Sequence, residues 1–410
     1  MKQIRLTAPA DTIHTVIELP SSKSICNRAL IMNALSGSKD PIGNLSDCDD
    51  TRVMLRALQG MPEIIDIQAA GTAMRFLTAF LSVGKGEHII TGTERMKKRP
   101  IRILVDALRQ LGADITYAGN EGFPPLRIKG CKLSKYEVTL PGNVSSQYIS
   151  ALLLIGPVLE NGLKLLLTGE IISRPYINLT LQLMKEFGAV AEWTAEDRLE
   201  VKAQPYQCIP FIVESDWSAA SYWYEIVALS EYATVKLPSL YTNSFQGDAK
   251  VAELFEGLGV TTRFEGNNVV LERTERQLER MDYDFVNQPD LAQTFVVTCA
   301  LLGIPFRFTG LQSLKIKETD RIAALINELR KLGYTLTEAD GSTLSWNGER
   351  CTADTQPVID TYEDHRMAMA FAPAILRVKD LWMNNPHVVS KSYPHYWENL
   401  KDAGFGIKKI

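Results

Sequence analysis

The chain is poor in the residues that announce metal or redox chemistry. It has five histidines and six cysteines in 410 residues. The cysteines stand at positions 26, 48, 131, 208, 299 and 351, with no Cys-x-x-Cys pair and no histidine at ligand spacing. Neither a zinc site nor a disulfide framework is signalled, and buried free thiols are expected. No apolar run reaches the length of a membrane span. The longest, around residues 151–159, is interrupted by Gly156 and Pro157, and the first thirty residues contain no signal-like apolar core. A cytoplasmic protein is expected on that ground. No Gly-x-x-x-x-Gly leads into a Lys-Ser or Lys-Thr pair, so a nucleotide P-loop is excluded. Excess positive charge is missing too: 44 Lys and Arg against 48 Asp and Glu give a formal net charge of −4, which offers nucleic acid no bulk field.

What is present is an ordinary globular composition, 45% hydrophobic and 22% charged, in a chain long for one core and comfortable for two domains. One stretch stands out. LPSSKSICNRAL, residues 19–30, packs Ser21, Ser22, Lys23, Ser24 and Arg28 into eight positions. Pro20 and the serines suit a turn and an N-cap, and the apolar run after Cys26 suits a helix. A helix N-terminus points free N–H groups and partial positive charge at whatever binds there, so the stretch reads as an anion cradle. A plain Ser-capped helix with two solvated cations fits it equally.

A repeat runs through the chain. An amphipathic helix closed by a glycine and followed by a short strand is visible in LVDALRQLGADITY, LQLMKEFGAVAEW, VAELFEGLGVTTRF, LINELRKLGYTLTE and, more weakly, WENLKDAGFGI and VMLRALQGMPEIIDI. The closing glycines are Gly60, Gly112, Gly188, Gly259, Gly333 and Gly404. They recur about every seventy residues, except that Gly112 follows Gly60 by only 52. The period leaves room for two helices and several strands per unit. Six small α/β units, three in each of two domains, are therefore expected, with the first shortened.

The charged residues fall in short, unusual contexts and not in runs. Lys23 and Arg28 are joined by Arg75 in AGTAMR, Arg99 in MKKRP, Lys317 and Arg321 in KIKETDR, Arg366 in YEDHRMAM and Lys391 in SKSYP. Polar clusters suited to phosphate and hydroxyl groups accompany them: Ser145, Ser146 and Gln147 in GNVSSQY, and Ser173 in SRPY. The acids of interest are Asp216, Asp290, Glu318, Asp320 and Asp364. Taken singly, each of these also reads as a cap or a structural ion pair.

Taken in order, PSSKSxxNRA, AGTAMR, RMKxRPI, GxVSSQ, SxPYI, PD, KETDR, DHRMAM and SKSYP resemble the 5-enolpyruvylshikimate-3-phosphate (EPSP) synthase family over nearly the whole chain. The resemblance implies an α/β (α+β) fold of two domains, each of three βαβαββ units with helices packed inside. By similarity residues 1–19 and 216–410 form one domain and residues 20–215 the other. The implied reaction moves the enolpyruvyl group of phosphoenolpyruvate to the 5-hydroxyl of shikimate 3-phosphate, through a tetrahedral adduct that loses phosphate. No metal and no organic cofactor is implied, and neither a nucleic acid nor a membrane partner; a monomer is expected. Matched motif by motif, Lys23, Gly71, Arg99, Gln147, Arg321, Arg366 and Lys391 contact phosphoenolpyruvate. Lys23, Ser24, Arg28, Ser145, Ser146, Gln147, Ser173, Asp290 and Lys317 contact shikimate 3-phosphate. Asp290, Glu318 and Lys23 are the implied catalytic trio. The need for cations is physical, because two unit charges 4 Å apart repel by about 4 kcal/mol at an effective dielectric near 20.

Two residues depart from the family pattern. Ala69 stands where asparagine is common, and Phe76 stands where proline is usual. With the shortening placed in the same unit as AGTAMR, they raise an alternative: a family member that binds shikimate 3-phosphate with weak or no turnover, handling phosphoenolpyruvate and its analogue glyphosate poorly. A sister class that transfers the same group to a UDP-sugar is disfavoured, because its Lys-Asn and catalytic-cysteine loop is not seen and Lys23 is followed by Ser24.

Overall fold

Five of the six recurring helices end as the sequence predicts. Gly112, Gly188, Gly259, Gly333 and Gly404 take left-handed conformations, with φ between 77° and 105°, and each is followed by the outer strand of a four-stranded sheet. A side chain meets a steric cost in that region which glycine avoids. The sixth copy differs. Gly60 is the last residue of its helix, Met61 takes the left-handed position with φ 39°, and the strand that follows, Ile64–Asp66, pairs with Glu87–Thr91 of the next unit.

The computed structural model describes residues 2–410. Among them are twelve α-helices: α1 (Lys23–Ser36), α2 (Asp49–Gly60), α3 (Gly71–Val83), α4 (Arg102–Leu111), α5 (Ser146–Ile155), α6 (Arg174–Glu186), α7 (Trp217–Leu229), α8 (Val251–Glu256), α9 (Ala292–Leu302), α10 (Arg321–Lys331), α11 (His365–Phe371) and α12 (Tyr396–Asp402). The chain divides into two compact units: residues up to Pro20 with Glu214–Ile410, and Ser21–Val213.

The first unit holds three sheets of one plan. The simplest to follow runs Met281–Asp284, α9, Phe306–Thr309, α10 and then a hairpin of Thr337–Ala339 and Thr343–Trp346. Its first two strands are parallel and its other neighbours antiparallel. The sheet of Ile13–Val16, Ala233–Pro238, Asn268–Arg273 and Val260–Glu265 repeats this. In the last, Val358–Ile359 and Leu381–Asn384 are parallel, and the N-terminal strand Gln3–Thr7 sits between Leu381–Asn384 and Gly406–Lys409.

The second unit has two complete sheets. One joins Ile64–Asp66, Glu87–Thr91, Leu126–Lys129 and Asp114–Tyr117, and the other joins Glu137–Pro141, Leu163–Thr168, Arg198–Val201 and Ala191–Ala195. In place of a third is a single parallel bridge, Gly43 to Ile212, with Gly43 N–H donating to Phe211 O at 2.8 Å and Val213 N–H to Gly43 O at 3.1 Å. The first repeat of this unit is thus the shortened one, as expected, and what is corrected is the placing of AGTAMR within it. The unit that contains AGTAMR is a complete βαβαββ layer, and the missing element is the hairpin of the preceding repeat, where α2 runs into the next unit's first strand within three residues.

The innermost helices are buried on every side. Helices α5, α7, α9 and α11 are buried almost throughout, as their sequences require: SQYISALLLI and AQTFVVTCALL present no polar stripe to water. One side chain there is out of keeping. Glu225 on α7 is fully buried and neither carboxyl oxygen makes a hydrogen bond. Burial pushes its pKa well above the carboxylate range, and the nearby Thr298 hydroxyl already donates to Thr294 O at 2.7 Å. Folding therefore favours the protonated form of this residue relative to the unfolded chain. Its contribution to stability is full below pH 4.5 and declines as pH rises above that value. Because a glutamine cannot ionise, the stability of Glu225→Gln relative to wild type should increase as pH rises from 5 to 7. Urea unfolding of both proteins at the two pH values checks this, and a gap that does not widen with pH contradicts it.

Candidate active site

The candidate residues share a position: most lie at the first turn of a helix. In the first unit Arg321 opens α10 and Glu318 lies in the bend just before it, Asp290 precedes α9, Asp364 caps α11 and Arg366 lies in its first turn. In the second, Lys23 opens α1, Gly71 opens α3, Ser145 and Ser146 open α5, and Ser173 precedes α6 with φ 55°. Unpaired N–H groups gather at such ends, which suits anions.

In the first unit four cations and three carboxylates form one cluster. Arg321, 1% exposed, donates through Nε to Asp364 Oδ2 at 2.7 Å, through Nη1 to Asp290 Oδ1 at 3.2 Å and through Nη2 to Glu318 Oε2 at 3.0 Å. Arg366 Nη2 donates to Asp290 Oδ2 at 2.9 Å and its Nη1 to the Tyr222 hydroxyl at 3.3 Å. Lys391 Nζ reaches Glu318 Oε1 at 2.6 Å, and Lys317 Nζ lies 3.5 Å from Asp290 Oδ1. Burial alone would lower the Arg321 pKa, but the charges of Asp364, Glu318 and Asp290 lift it above its ordinary value. For Lys317 burial dominates, and its pKa falls despite Asp290. The caps hold these groups in place: Asp320 accepts from Ala323 N–H at 3.1 Å, and Asp364 Oδ1 from Arg366 N–H at 2.9 Å.

In the second unit the groups are more dispersed. Lys23 Nζ lies 3.7 Å from Asp50 Oδ2. Arg28 is buried, with Nε donating to Thr180 Oγ1 at 2.7 Å, Nη1 to Ser24 O at 2.9 Å, and Nη2 to Ser150 Oγ at 3.1 Å and Tyr176 O at 3.3 Å. Burial brings its pKa down to about 10. It thus ties α1 to α5 and α6, while Phe76, which replaces the usual proline, lies in the core beneath its guanidinium. Ser145 caps α5 by accepting from Gln147 N–H at 3.4 Å, and the Gln147 amide donates to Thr72 Oγ1 at 3.3 Å. Gly71 is tightly enclosed: a Cβ there would lie 2.6 Å from Arg99 Nη1 and 3.0 Å from Arg75 Nη1. Ala69 is exposed, beside Gln68 in a left-handed turn.

Four further groups touch these clusters and went unassigned from the sequence. Asp248 is buried, accepts from the Ser218 hydroxyl, and has its pKa raised to about 7 by burial and by the charge of Asp290. It stands in a short 3₁₀ turn with no neighbouring motif, so the sequence carried no signal. Asp50 reads locally as an ordinary acid at the start of α2, although it faces Lys23. Tyr222 and Gln293 sit on helices that look like plain core; the Gln293 amide oxygen, turned to its complementary partners, accepts from Arg321 Nε at 2.8 Å. Among the described residues no group of three or more His, Cys, Asp or Glu could hold a metal ion.

Comparisons with known proteins agree with one another. The family model described as EPSP synthase (3-phosphoshikimate 1-carboxyvinyltransferase) matches residues 7–66 and 60–400, its two segments meeting where α2 ends without its hairpin. A 3-phosphoshikimate 1-carboxyvinyltransferase of Bacteroides fragilis is 64% identical over 403 residues, covering 98% of each chain. One from Photobacterium damsela subsp. piscicida is 38% identical over 424 aligned positions, covering 96% of this chain and 97% of that one. That alignment is longer than the present chain, so the relative has segments absent here, whereas the Bacteroides relative matches the chain almost end to end. In fold, the EPSP synthase structure from Acinetobacter baumannii superposes with a TM-score of 0.77 over 100% of both chains at 21% identity.

Proposed function

The chain belongs to the EPSP synthase family, and on that premise we propose that it transfers the enolpyruvyl group of phosphoenolpyruvate to the 5-hydroxyl of shikimate 3-phosphate, releasing phosphate. The observation that supports this best is the first unit's cluster, in which Lys317, Arg321, Arg366 and Lys391 surround Asp290 and Glu318 at 2.6–3.5 Å. Four cations can neutralise a carboxylate and a phosphate brought together, and arginine grips both bidentately. Phosphoenolpyruvate is assigned to Lys23, Gly71, Arg99, Gln147, Arg321, Arg366 and Lys391. Shikimate 3-phosphate is assigned to Lys23, Ser24, Arg28, Ser145, Ser146, Gln147, Ser173, Asp290 and Lys317.

In this scheme an arriving anion competes for the donors that Asp290 and Glu318 hold. Released from Arg366, Asp290 accepts the proton of the 5-hydroxyl as that oxygen attacks the enol carbon. Released from Lys391, Glu318 delivers a proton to the methylene, and Lys23 stabilises charge at the bridging oxygen. Elimination reverses the transfers: the methyl group of the adduct loses a proton, the C–O bond to phosphate breaks, and phosphate leaves with the electron pair. We infer that it acts in the cytoplasm and, as the family resemblance implies, as a monomer; no helix among the described residues is long and apolar enough to cross a membrane.

Retention of Lys23, Asp290 and Glu318, and a complete layer around Gly71, favour turnover over a binding-only role. Phosphate release decides it. Phosphate should appear only when both substrates are present; none with both, or release from phosphoenolpyruvate alone, contradicts the proposal. A second expectation concerns Gly71. Its φ is ordinary, so alanine suits the backbone, but the added Cβ must displace Arg99. Gly71→Ala should raise KM for phosphoenolpyruvate about tenfold, equivalent to about 1.4 kcal/mol, with little change in melting temperature. Steady-state kinetics with varied phosphoenolpyruvate test this, and an unchanged KM removes Arg99 from the assignment.

A further inference from the structure

A second polar network lies next to the first unit's cations without joining their cluster. Its centre is Glu328 on α10, fully buried, which accepts from the Tyr362 hydroxyl at 2.6 Å, from Lys331 Nζ at 2.8 Å and from the Asp360 N–H at 3.0 Å. Lys331 also donates to Val358 O and to the Asp360 carboxylate, both at 2.9 Å. The Asp360 carboxylate accepts the Asn384 amide at 2.7 Å, and the Thr361 hydroxyl reaches Asn385 O at 3.5 Å. Three segments are tied together: α10, the turn at 360–364 and the turn at 384–386.

Each segment leads into one cation of the cluster. Helix α10 begins with Arg321, the turn at 360–364 ends in the cap Asp364 and the first turn with Arg366, and Asn385 precedes the 3₁₀ turn Pro386–Lys391. The two turns rest on left-handed residues: Tyr362 with φ 53°, Glu363 with φ 56° and Asn385 with φ 49°. Asparagine tolerates that region, but two consecutive longer side chains hold it only where their surroundings dictate it. Tyr362 supplies such a constraint itself, because its hydroxyl crosses from the turn to Glu328. Burial and the adjacent carboxylate raise that phenol's pKa, so it remains a donor at any working pH.

We propose that Tyr362 and Glu328 are positioning residues for enolpyruvyl transfer, an inference that rests on the function assigned above. Their hydrogen bond fixes the left-handed turn against α10, so that Arg366 and Asp364 face Arg321 and the neighbouring turn holds Lys391 in the same register. Neither residue touches the substrates. Their effect is to keep three cations converging on one anion.

Tyr362→Phe removes one oxygen and leaves the ring. At a temperature well below its melting point, kcat/KM for phosphoenolpyruvate should fall tenfold or more, chiefly through KM, with shikimate 3-phosphate affinity within twofold of wild type. Leu344→Ala, which opens a cavity in another sheet, should lower the melting temperature while kcat and KM stay within twofold. Folded Tyr362→Phe protein with wild-type kinetics overturns the proposal. Should that variant fail to fold, Asn384→Ala tests the same network at its outer arm. A threefold or larger rise in KM is then expected, and an unchanged KM overturns it. Should wild-type protein show no turnover, the functional reading fails instead, and crystal structures of wild type and variant judge the positioning alone. Displacement of the Arg366 guanidinium from Asp290 supports it, and an unmoved guanidinium overturns it.

Discussion

Replacing Glu318 by alanine is expected to lower kcat by about 10²–10⁴ while leaving shikimate 3-phosphate affinity within twofold of wild type. A group that donates its proton in the transition state contributes little to ground-state binding, so its loss falls on kcat. The structure adds a secondary effect. Glu318 accepts from both Arg321 and Lys391, and without it these cations are less restrained, so KM for phosphoenolpyruvate should shift modestly. Rapid-quench kinetics with calorimetric titration of shikimate 3-phosphate separate the two effects. Wild-type kcat in this variant would remove Glu318 from the chemistry.

The second large effect is expected at Arg321. This side chain is almost wholly buried and is bonded to Asp290, Glu318 and Asp364 together. Arg321→Leu leaves Asp364, which has no exposed surface, without its main counter-charge. Removing one partner of a buried ion pair costs about 3–5 kcal/mol, because the remaining charge stays desolvated. The variant should therefore unfold at markedly lower urea concentration and lose all measurable turnover. Arg321→Lys should recover part of the stability but little activity, since one ammonium cannot satisfy three carboxylates in the fork geometry of guanidinium. Equal urea midpoints for Arg321→Leu and wild type would show that the cluster does not depend on this residue.

The layered repeat was legible because its marks are local. A glycine forced into the left-handed region at the end of an amphipathic helix is visible in a dozen residues, and Gly112, Gly188, Gly259, Gly333 and Gly404 all obey it. The site motifs were legible for a similar reason, since a Ser-Lys-Ser or Lys-Glu-Thr-Asp-Arg run at a helix start packs several charged or polar groups into one turn. The position of the missing hairpin was not legible. Counting between glycines locates a gap but cannot tell which sheet owns Ile64–Asp66, and that is settled by parallel pairing with Glu87–Thr91, more than twenty residues away. Asp248 and Gln293 escaped notice because their meaning is purely tertiary: one lies in a short turn and the other on a helix buried on every face. Glu225 was hidden in the same way, as a single acid within an otherwise apolar segment.

The central claim is that the chain makes an enol ether from phosphoenolpyruvate and shikimate 3-phosphate. Proton and phosphorus NMR of one reaction mixture test it most directly, because they follow the vinyl protons and the phosphate together. Inorganic phosphate and a new vinyl ether on the 5-oxygen should appear in equal amounts, at the same rate, only with both substrates present. Phosphate without the ether, or an unchanged mixture with folded protein, would contradict the account.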